Sequence, residues 1–431
     1  MSLAAAVTRT LRCVKPPVTL AVTAAIALAA LSGCGSGDAE GTRIPGRTLT
    51  VYVSAPLRGD SQVSGNAVVA GAQLALAQIR GRIGRYRIAL RTLDDATLQR
   101  GGWDPGQTTL NARTAVLDPT TIGYVGELNS GASAISIPPL NRAGIPQVSP
   151  TSTAVGLTTS DPGAFPGEPQ KYYPTGVRTF ARVVPNDTVQ ARAQVRLQRS
   201  VGCRATYVLN DGEVDGADAA RSFMLAAQSA GLRLAGAQSF ARGASSYASL
   251  AAGVAQLRPD CILISADTES GAVLLTEQLA AAMPTVKIFG SAGLAETTYA
   301  DPAQGGIPMS LDSRVWITAP TLGAGEYPPA ARSFTAAYER RFGPTEPDSI
   351  FGYEAMSLLL GAIERATRHG TRAAERTQVR AALFATRDRS SVLGTYSIDG
   401  NGDTTQRRYG AYIIAAGNLT FWRAIDTGSP A

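Results

Sequence analysis

Two hydroxyl-bearing loops are the segments of this sequence best suited to hold a small anion. Asn129-Ser130-Gly131 follows the apolar run 122–125, and Thr151-Ser152-Thr153 follows the next such run. Each run has the length of a buried strand, and a helical pattern begins at Ser130. Because a helix N-terminus presents free backbone N–H groups, the first loop can receive a carboxylate. The alternative interpretation is that Ser130 and Ser152 only cap helices.

No residue pattern in the chain is typical of an enzyme. The sequence lacks a G-x-S-x-G nucleophile elbow, an H-E-x-x-H zinc motif and a phosphate-binding P-loop. Its one histidine, His369, offers no basis for histidine catalysis or multi-histidine metal sites. The segment 399–403 resembles the start of a calcium loop, but Gly410 stands where the bidentate Glu is needed. We therefore expect no enzymatic activity, no metal and no cofactor.

The composition fits a folded protein of about two domains. The 431 residues are 44% hydrophobic and 17% charged, and the glycines and prolines show no period, which excludes a repeat array. Only Lys15, Lys171 and Lys287 are lysines, and the arginines are dispersed without basic runs. A net charge of +7 spread in this way does not predict nucleic-acid binding.

The N-terminal segment is typical of an exported lipoprotein. Basic residues precede the apolar stretch 18–31, and Leu31-Ser-Gly-Cys34 follows. This stretch is shorter than the roughly 20 residues that cross a bilayer, so it indicates a signal peptide over 1–33. The tetrapeptide resembles a lipobox, which predicts acylation of Cys34, a tether over 34–46 and anchoring to the outer face of the cell membrane. The alternative is an ordinary signal peptide followed by a stray cysteine.

From residue 48 onward, short apolar runs alternate with stretches of helical periodicity. This alternation is typical of βα units around parallel sheets. In the first helical stretch Val68, Ala72 and Ala75 recur on one face, which would pack on a sheet. The order begins again after residue 180, and helical segments at 328–385 precede strand-like runs. We predict an α/β fold with two doubly wound parallel-sheet lobes, between which the chain crosses more than once.

Six segments, in order, resemble the type I periplasmic-binding-fold solute receptors of ABC importers, the leucine/isoleucine/valine-binding group. They are VVAGAQLALAQI at 68–79, LDD at 93–95 with DPGQTT at 104–109, IGYVGELNSG at 122–131, GIPQVSPTST at 144–153, FGYEA at 351–355 and SIDGNGD at 397–403. The resemblance implies two lobes joined by three hinge crossings. Lobe one would comprise 47–181 and 320–392, and lobe two 182–319 and 393–425.

The resemblance also implies a ligand and a partner. In the family, residues that match Ser130, Ser152 and Thr153 grip the ligand's carboxylate and ammonium. The expected function is capture of a small polar ligand, an amino acid or a related carboxylate or amide. A monomeric receptor would then deliver it to an ABC permease. The alternative is a receptor subunit that reports the ligand to a membrane signalling protein.

The second lobe departs from the family's pattern at two positions. Asp215 stands where a tyrosine is common, and Ala292 stands where amino-acid receptors place an acid for the ligand ammonium. Since an unpaired buried ammonium is costly, Asp215, Asp267 or Glu269 would have to replace that acid. Each of these three carboxylates could instead be a solvated loop charge.

Cys203 and Cys261 each begin an apolar run of the second lobe. In a doubly wound half-sheet the first and third strands are neighbours, because the second strand goes to the outer edge. Parallel neighbours begin at the same end of the sheet, about 4.8 Å apart. We therefore predict a disulfide between these cysteines, at the end opposite the ligand cleft. The alternative is a pair of buried free thiols.

Overall fold

The computed structural model describes residues 43–428. The predicted signal peptide, Cys34 and most of the predicted tether lie outside these residues. Ile44 belongs to the folded body, because its side chain is only 4% exposed and its N–H donates to the carbonyl of Ala374 at 2.8 Å. Between residues 43 and 428 no helix has both the length and the apolar character that crossing a bilayer requires.

The first lobe begins with a six-stranded sheet and three helices. Their bounds are β1 Thr48–Ala55, α1 Gln62–Gln78, β2 Arg82–Ile83, β3 Tyr86–Asp94, α2 Pro105–Leu117, β4 Thr121–Val125, α3 Ser130–Arg142, β5 Gln147–Ser149 and β6 Phe180–Arg182. The strand order is β2-β3-β1-β4-β5-β6, and all neighbours are parallel except the β2–β3 pair.

The second lobe repeats the βα pattern. Its elements are α4 Asp187–Ser200, β7 Ala205–Asn210, α5 Val214–Ser229, β8 Arg233–Ser239, α6 Ala248–Gln256, β9 Cys261–Ser265, α7 Ala272–Ala282, β10 Lys287–Gly290, α8 Thr297–Ala300 and β11 Val315–Ala319. The chain then returns to lobe one with α9 Pro329–Phe342, α10 Ser349–Ala366, α11 Arg376–Phe384, β12 Arg389–Ser391 and β13 Gly394–Tyr396.

Two antiparallel strands complete the second sheet. They are β14 Arg408–Ala415 and β15 Asn418–Asp426. The sheet order is β15-β14-β11-β10-β9-β7-β8, and β7 to β11 pair in parallel. The predicted α/β fold with two doubly wound lobes is therefore present.

Three passages of chain connect the lobes, at 183–186, 320–328 and 399–407. Arg182, the fully buried last residue of β6, binds the third passage, because its Nε donates to Asp403 Oδ1 at 2.7 Å. Asn186 Nδ2 donates to the other oxygen of Asp403 at 3.1 Å. The third passage lies after Ile398, later than the predicted boundary at 393, because Tyr396 and Ile398 pack in the core of lobe one.

Helices α1 and α10 pack closely because each carries a glycine at the contact. A Cβ on Gly71 would lie 2.1 Å from the carbonyl oxygen of Ser349, and one on Gly352 would lie 2.2 Å from that of Val68. Any side chain at either position would therefore push the helices apart. This close packing fixes the N-terminal ends of both helices at the edge of lobe one that faces lobe two.

Cys203 and Cys261 form a disulfide with their Cα atoms 5.8 Å apart. Strands β7 and β9 are neighbours and β8 takes the outer edge, as the doubly wound order predicts. Thr206 of β7 pairs with Cys261, and Cys203 lies two residues before β7, so both cysteines are at the N-terminal edge of the sheet. The carboxyl ends, where ligands bind in such sheets, are at the opposite edge.

We expect that replacing both cysteines by alanine lowers the free energy of unfolding by about 4 kcal/mol, because the bridge closes a long loop in the unfolded chain. Urea denaturation measures the difference. As a control, a reducing agent should destabilise the wild type and leave the double variant unchanged. Alkylation of the unreduced protein at Cys203 and Cys261, detected by mass spectrometry, would contradict the bridge.

Candidate functional site

The candidate site is the cleft between the carboxyl ends of the two sheets. It encloses about 80 Å³ of space that the centre of a water molecule can enter. Lobe one contributes the loops that follow β4 and β5 and the N-terminal ends of α1 and α10. Lobe two contributes the N-terminal part of α5 and the loops that follow β9 and β10. Carboxyl ends of parallel strands are the usual ligand-binding edge of an open α/β sheet.

Asp215 of lobe two caps helix α3 of lobe one across the cleft. Its two carboxylate oxygens accept hydrogen bonds from the backbone N–H of Ser130 at 2.8 and 2.9 Å, and one also accepts from Gly131 at 3.3 Å. Asn129, the N-cap residue, makes no capping bond with its own side chain. The carboxylate that the sequence led us to expect from a ligand at this helix end is therefore supplied by the protein.

The first turns of α5 make further contacts with lobe one. Glu213 accepts a hydrogen bond from Arg100 Nη2 at 2.9 Å and also pairs with Arg242 of its own lobe. Asp218 Oδ2 accepts from the backbone N–H of Val155 at 2.7 Å. Three acidic side chains at one end of α5 thus hold the lobes against each other.

Ser130 and Ser152 lie inside lobe one rather than on the cleft surface. Both side chains are fully buried. Ser130 Oγ accepts hydrogen bonds from the backbone N–H groups of Thr153 and Ala154, each at 3.1 Å, and Ser152 Oγ lies 2.8 Å from Ser133 Oγ. The two serines therefore fix the two loops to each other. Of the three predicted hydroxyl residues, Thr153 is the one that lines the cleft.

A row of carboxylates crosses the cleft. Asp267 accepts a hydrogen bond from Asn129 Nδ2 at 3.1 Å, and Glu296 accepts from Ser64 Oγ of α1 at 3.2 Å. The acidic side chains that line the cleft are Asp215, Asp267, Glu269, Glu296 and Asp348. The sequence predicted the first two as ligand-binding residues and named Glu269 as an alternative.

The sequence did not lead us to predict Glu296 and Asp348 as site residues. Glu296 is the N-cap residue of α8 and Asp348 that of α10. An acid directly before a helix that faces the ligand edge was the available signal. For Asp348 the signal was weak, because α10 follows another helix and no strand marks its position in the sheet.

Burial and mutual repulsion raise the pKa values of these carboxyl groups. Burial raises the pKa of Asp215 to about 6, that of Glu269 to about 7 and that of Glu296 to about 8. The charge of Glu269 adds to the shift at Glu296, and burial together with Glu269 raises the pKa of Asp267 well above its usual range. Clustered carboxyls with raised pKa values in a cleft are typical of functional sites.

Ala292 lies in the loop that follows β10 and lines the cleft. Its backbone N–H donates to Gln190 Oε1 at 3.1 Å. No group of histidine, cysteine, aspartate and glutamate side chains suited to a metal ion occurs within residues 43–428.

The family model described as periplasmic binding protein matches residues 48–418 of the chain. No curated protein matches it in sequence. A leucine-binding protein from Thermotoga maritima has a TM-score of 0.71 at 19% identity, over 88% of this chain and 99% of that chain. A branched-chain amino acid transporter substrate-binding protein from Streptococcus pneumoniae, solved with isoleucine, has a TM-score of 0.70 at 17% identity, over 88% and 100%. A solute-binding protein from R. palustris, solved with benzoate, has a TM-score of 0.71 at 17% identity, over 88% and 96%.

We expect Ser130→Ala to lower the free energy of unfolding by about 1–3 kcal/mol, because two buried backbone N–H groups lose their acceptor. Urea denaturation is the measurement. Ser390→Ala, at an exposed strand position, is the matched control and should change stability by no more than about 0.5 kcal/mol. Unchanged stability together with weaker ligand binding would instead restore the ligand-contact role predicted from the sequence.

The ligand-free protein should lose stability as the pH rises from about 4 to about 8. Glu269 and Glu296 titrate near pH 4 when unfolded, but at about 7 and about 8 when folded. In this range the folded state therefore binds more protons, and unfolding becomes easier as the pH rises, by up to about 1.4 kcal/mol per pH unit for each proton.

Besides each other, these two side chains face the charged groups of Asp211, Arg242, Asp267 and Asp348. The measurement is urea denaturation at constant ionic strength across this range. The double variant Glu269→Gln/Glu296→Gln should flatten the pH dependence. If the free energy of unfolding of the wild type instead rises between pH 5 and 8, ionisation of these carboxyl groups does not destabilise the folded state, and the prediction is wrong.

Proposed function

The chain belongs to the periplasmic binding protein family, and on that premise we propose that it is the solute receptor of an ABC transporter. It captures a small polar ligand between its lobes outside the cell membrane and delivers it to a membrane permease. The observation that supports this most directly is the cleft itself. The carboxyl ends of the strands of both sheets lie at the cleft, and its lining contains both small apolar residues and hydrogen-bonding groups.

Lobe closure supplies the binding mechanism. The ligand enters while the lobes are apart, and the rotation about the three passages brings α5 against the N-terminus of α3. Thr153 and Asn129 contact the ligand from lobe one, and Asp267 contacts it from lobe two. Because both lobes contribute polar groups, the ligand stabilises the closed form by its differential affinity for that form.

The ligand class expected from the sequence is an amino acid or a related carboxylate or amide. The cleft supports an amino group as the recognised part, since Asp267 and Glu269 are acceptors without a basic partner in the lining. These acids would take the role of the acidic side chain that the resemblance leads us to expect at position 292. Two related structures were solved with isoleucine and with benzoate, so other proteins of this fold bind an amino acid or a small carboxylate.

We also propose that Cys34 anchors the protein to the outer face of the membrane. The support is the apolar stretch 18–31 followed at once by Leu31-Ser-Gly-Cys34. Two or more acyl chains hold a protein durably at a membrane, whereas a single chain does so only marginally. Such an anchor would keep the receptor near its permease.

A thermal-shift panel of amino acids, amides, small organic acids and amines tests the proposed function on ligand-stripped protein. At least one compound should raise the melting temperature in a concentration-dependent way, because it binds only the folded state. Thr153→Ala should lower the affinity for that compound by about ten- to a hundredfold, because it removes a hydrogen bond to a charged group.

Thr395→Ala, at an exposed strand position, is the control and should bind as the wild type does. If no compound in the panel stabilises the protein, the receptor function is contradicted. If Thr153→Ala binds normally, the role of Thr153 is structural.

A further inference from the structure

We propose that the ligand is a small organic cation that carries N–H groups, an amine or a guanidine, and that the cleft rejects free carboxylic acids. This inference rests on the proposed receptor function and narrows its ligand class. Four properties of the cleft carry it: its charge, its unused hydrogen-bond acceptors, the occupation of its anion site and the absence of aromatic residues from its lining.

The charged side chains that line the cleft in the described part of the chain are all acidic. Five carboxylates line the cleft, whereas no lysine, arginine or histidine does so among the described residues. The nearest arginines have other partners: Arg100 and Arg242 both pair with Glu213. A bound cation would therefore meet several carboxylates in the lining, and Arg242, whose charge acts on Glu269, is already paired with Glu213.

The unused hydrogen-bonding atoms of the cleft are acceptors. Asn129 is only 6% exposed, and its Oδ1 has no hydrogen-bond partner while its Nδ2 donates to Asp267. Both carboxylate oxygens of Glu269 are buried and accept no hydrogen bond of normal geometry, although the Ser61 hydroxyl and the backbone N–H of Glu269 lie nearby. Buried acceptors without donors are costly, so a ligand that supplies N–H groups fits these positions.

The place where a ligand carboxylate could bind is already occupied. The N-terminus of α3 is the anion site predicted from the sequence, and Asp215 fills it with three hydrogen bonds. The N–H of Ala292 donates to Gln190. A carboxylate ligand would have to displace Asp215 and then lie among other acids, which repel it.

The lining favours N–H cations over quaternary ammonium ions. No phenylalanine, tyrosine or tryptophan lines the cleft in the described part of the chain. Quaternary ammonium groups are recognised by aromatic faces, because they have no hydrogen to donate. Primary amines and guanidinium groups instead match carboxylate oxygens by charge-assisted hydrogen bonds.

The carboxylates come from separate segments of both lobes, namely α5, the loops after β9 and β10 and the start of α10, which suits a ligand with more than one positive group. The charges of Asp215, Glu269 and Glu296 act on Asp267, and that of Asp348 acts on Glu296. Diamines and amino-guanidines carry two positive groups joined by a short apolar stem.

Binding of such a cation should release protons. The pKa values of Glu269 and Glu296, about 7 and about 8, leave both groups partly protonated at neutral pH. The charged groups around them are Asp211, Arg242, Asp267 and Asp348. Because a cation favours the ionised carboxylates, affinity should rise between pH 6 and pH 8.

Isothermal titration calorimetry of the ligand-stripped protein tests the proposal, with putrescine, spermidine and agmatine as cationic probes. Isoleucine, benzoate, choline and Ca²⁺ are the comparison set. We expect the amines and agmatine to bind, with proton release seen as a dependence of the heat on buffer ionisation enthalpy. The comparison compounds should not bind, or should bind at least about a hundredfold more weakly.

Asp267→Asn and Glu296→Gln should each lower the affinity for the best cation by about tenfold or more, since each removes a charge-assisted hydrogen bond. Glu339→Gln, at an exposed position on α9, is the matched control and should bind as the wild type does. Circular dichroism confirms that the variants are folded.

The outcomes separate this inference from the proposed function. If isoleucine, benzoate or choline binds more tightly than every amine and agmatine, the cation assignment is overturned and the receptor function stands. Binding of Ca²⁺ alone would likewise overturn it. If no cationic probe binds while another compound of the thermal-shift panel does, the cation assignment is overturned and the receptor function stands. The receptor function is contradicted only if no compound of either set or of that panel binds.

Discussion

The contact between the Asp215 carboxylate and the N-terminus of α3 determines how the rest of the site is arranged. It joins the two lobes through hydrogen bonds of 2.8 to 3.3 Å. A helix N-terminus favours a carboxylate by about 0.3–1 kcal/mol at exposed sites, and hydrogen bonds to a charged group contribute about 1.5–3 kcal/mol each. With a pKa of about 6, Asp215 is ionised at neutral pH and can use both effects. The same contact places Glu213 and Asp218 against lobe one and removes the anion site from the ligand.

Much of this arrangement follows from patterns within short segments, and those parts could be predicted from the sequence. The apolar runs predict strands β1, β4, β7 and β9. The doubly wound strand order predicts that Cys203 and Cys261 are neighbours. Strand β2, with two residues, carries too little periodicity to be recognised. The strand-like runs after residue 385 include a terminal hairpin, which turns at Ala416-Gly417, both with positive φ.

The cleft itself could not be derived in this way, because its contacts join residues far apart in the chain. Ser130 and Asp215 are 85 positions apart, and Ser64 and Glu296 are 232 apart. The resemblance assigned Ser130 to the ligand because relatives use the equivalent helix end. The sequence did show that Asp215 replaces a common tyrosine. It did not show that this acid reaches the other lobe, since that depends on the angle between the lobes.

The closed cleft combines attraction at one end of α5 with repulsion along the carboxylate row. Asp215 favours closure by capping α3, whereas closure also brings Glu296 of lobe two towards Asp348 of lobe one. The position of Asp348 is fixed, because the glycines at the α1–α10 contact hold that helix end at the cleft. The repulsion therefore cannot be relieved by moving the acid away. It is relieved by protons or by a positive charge between the lobes, so the proposed preference for a cation follows from the same contacts that join the lobes.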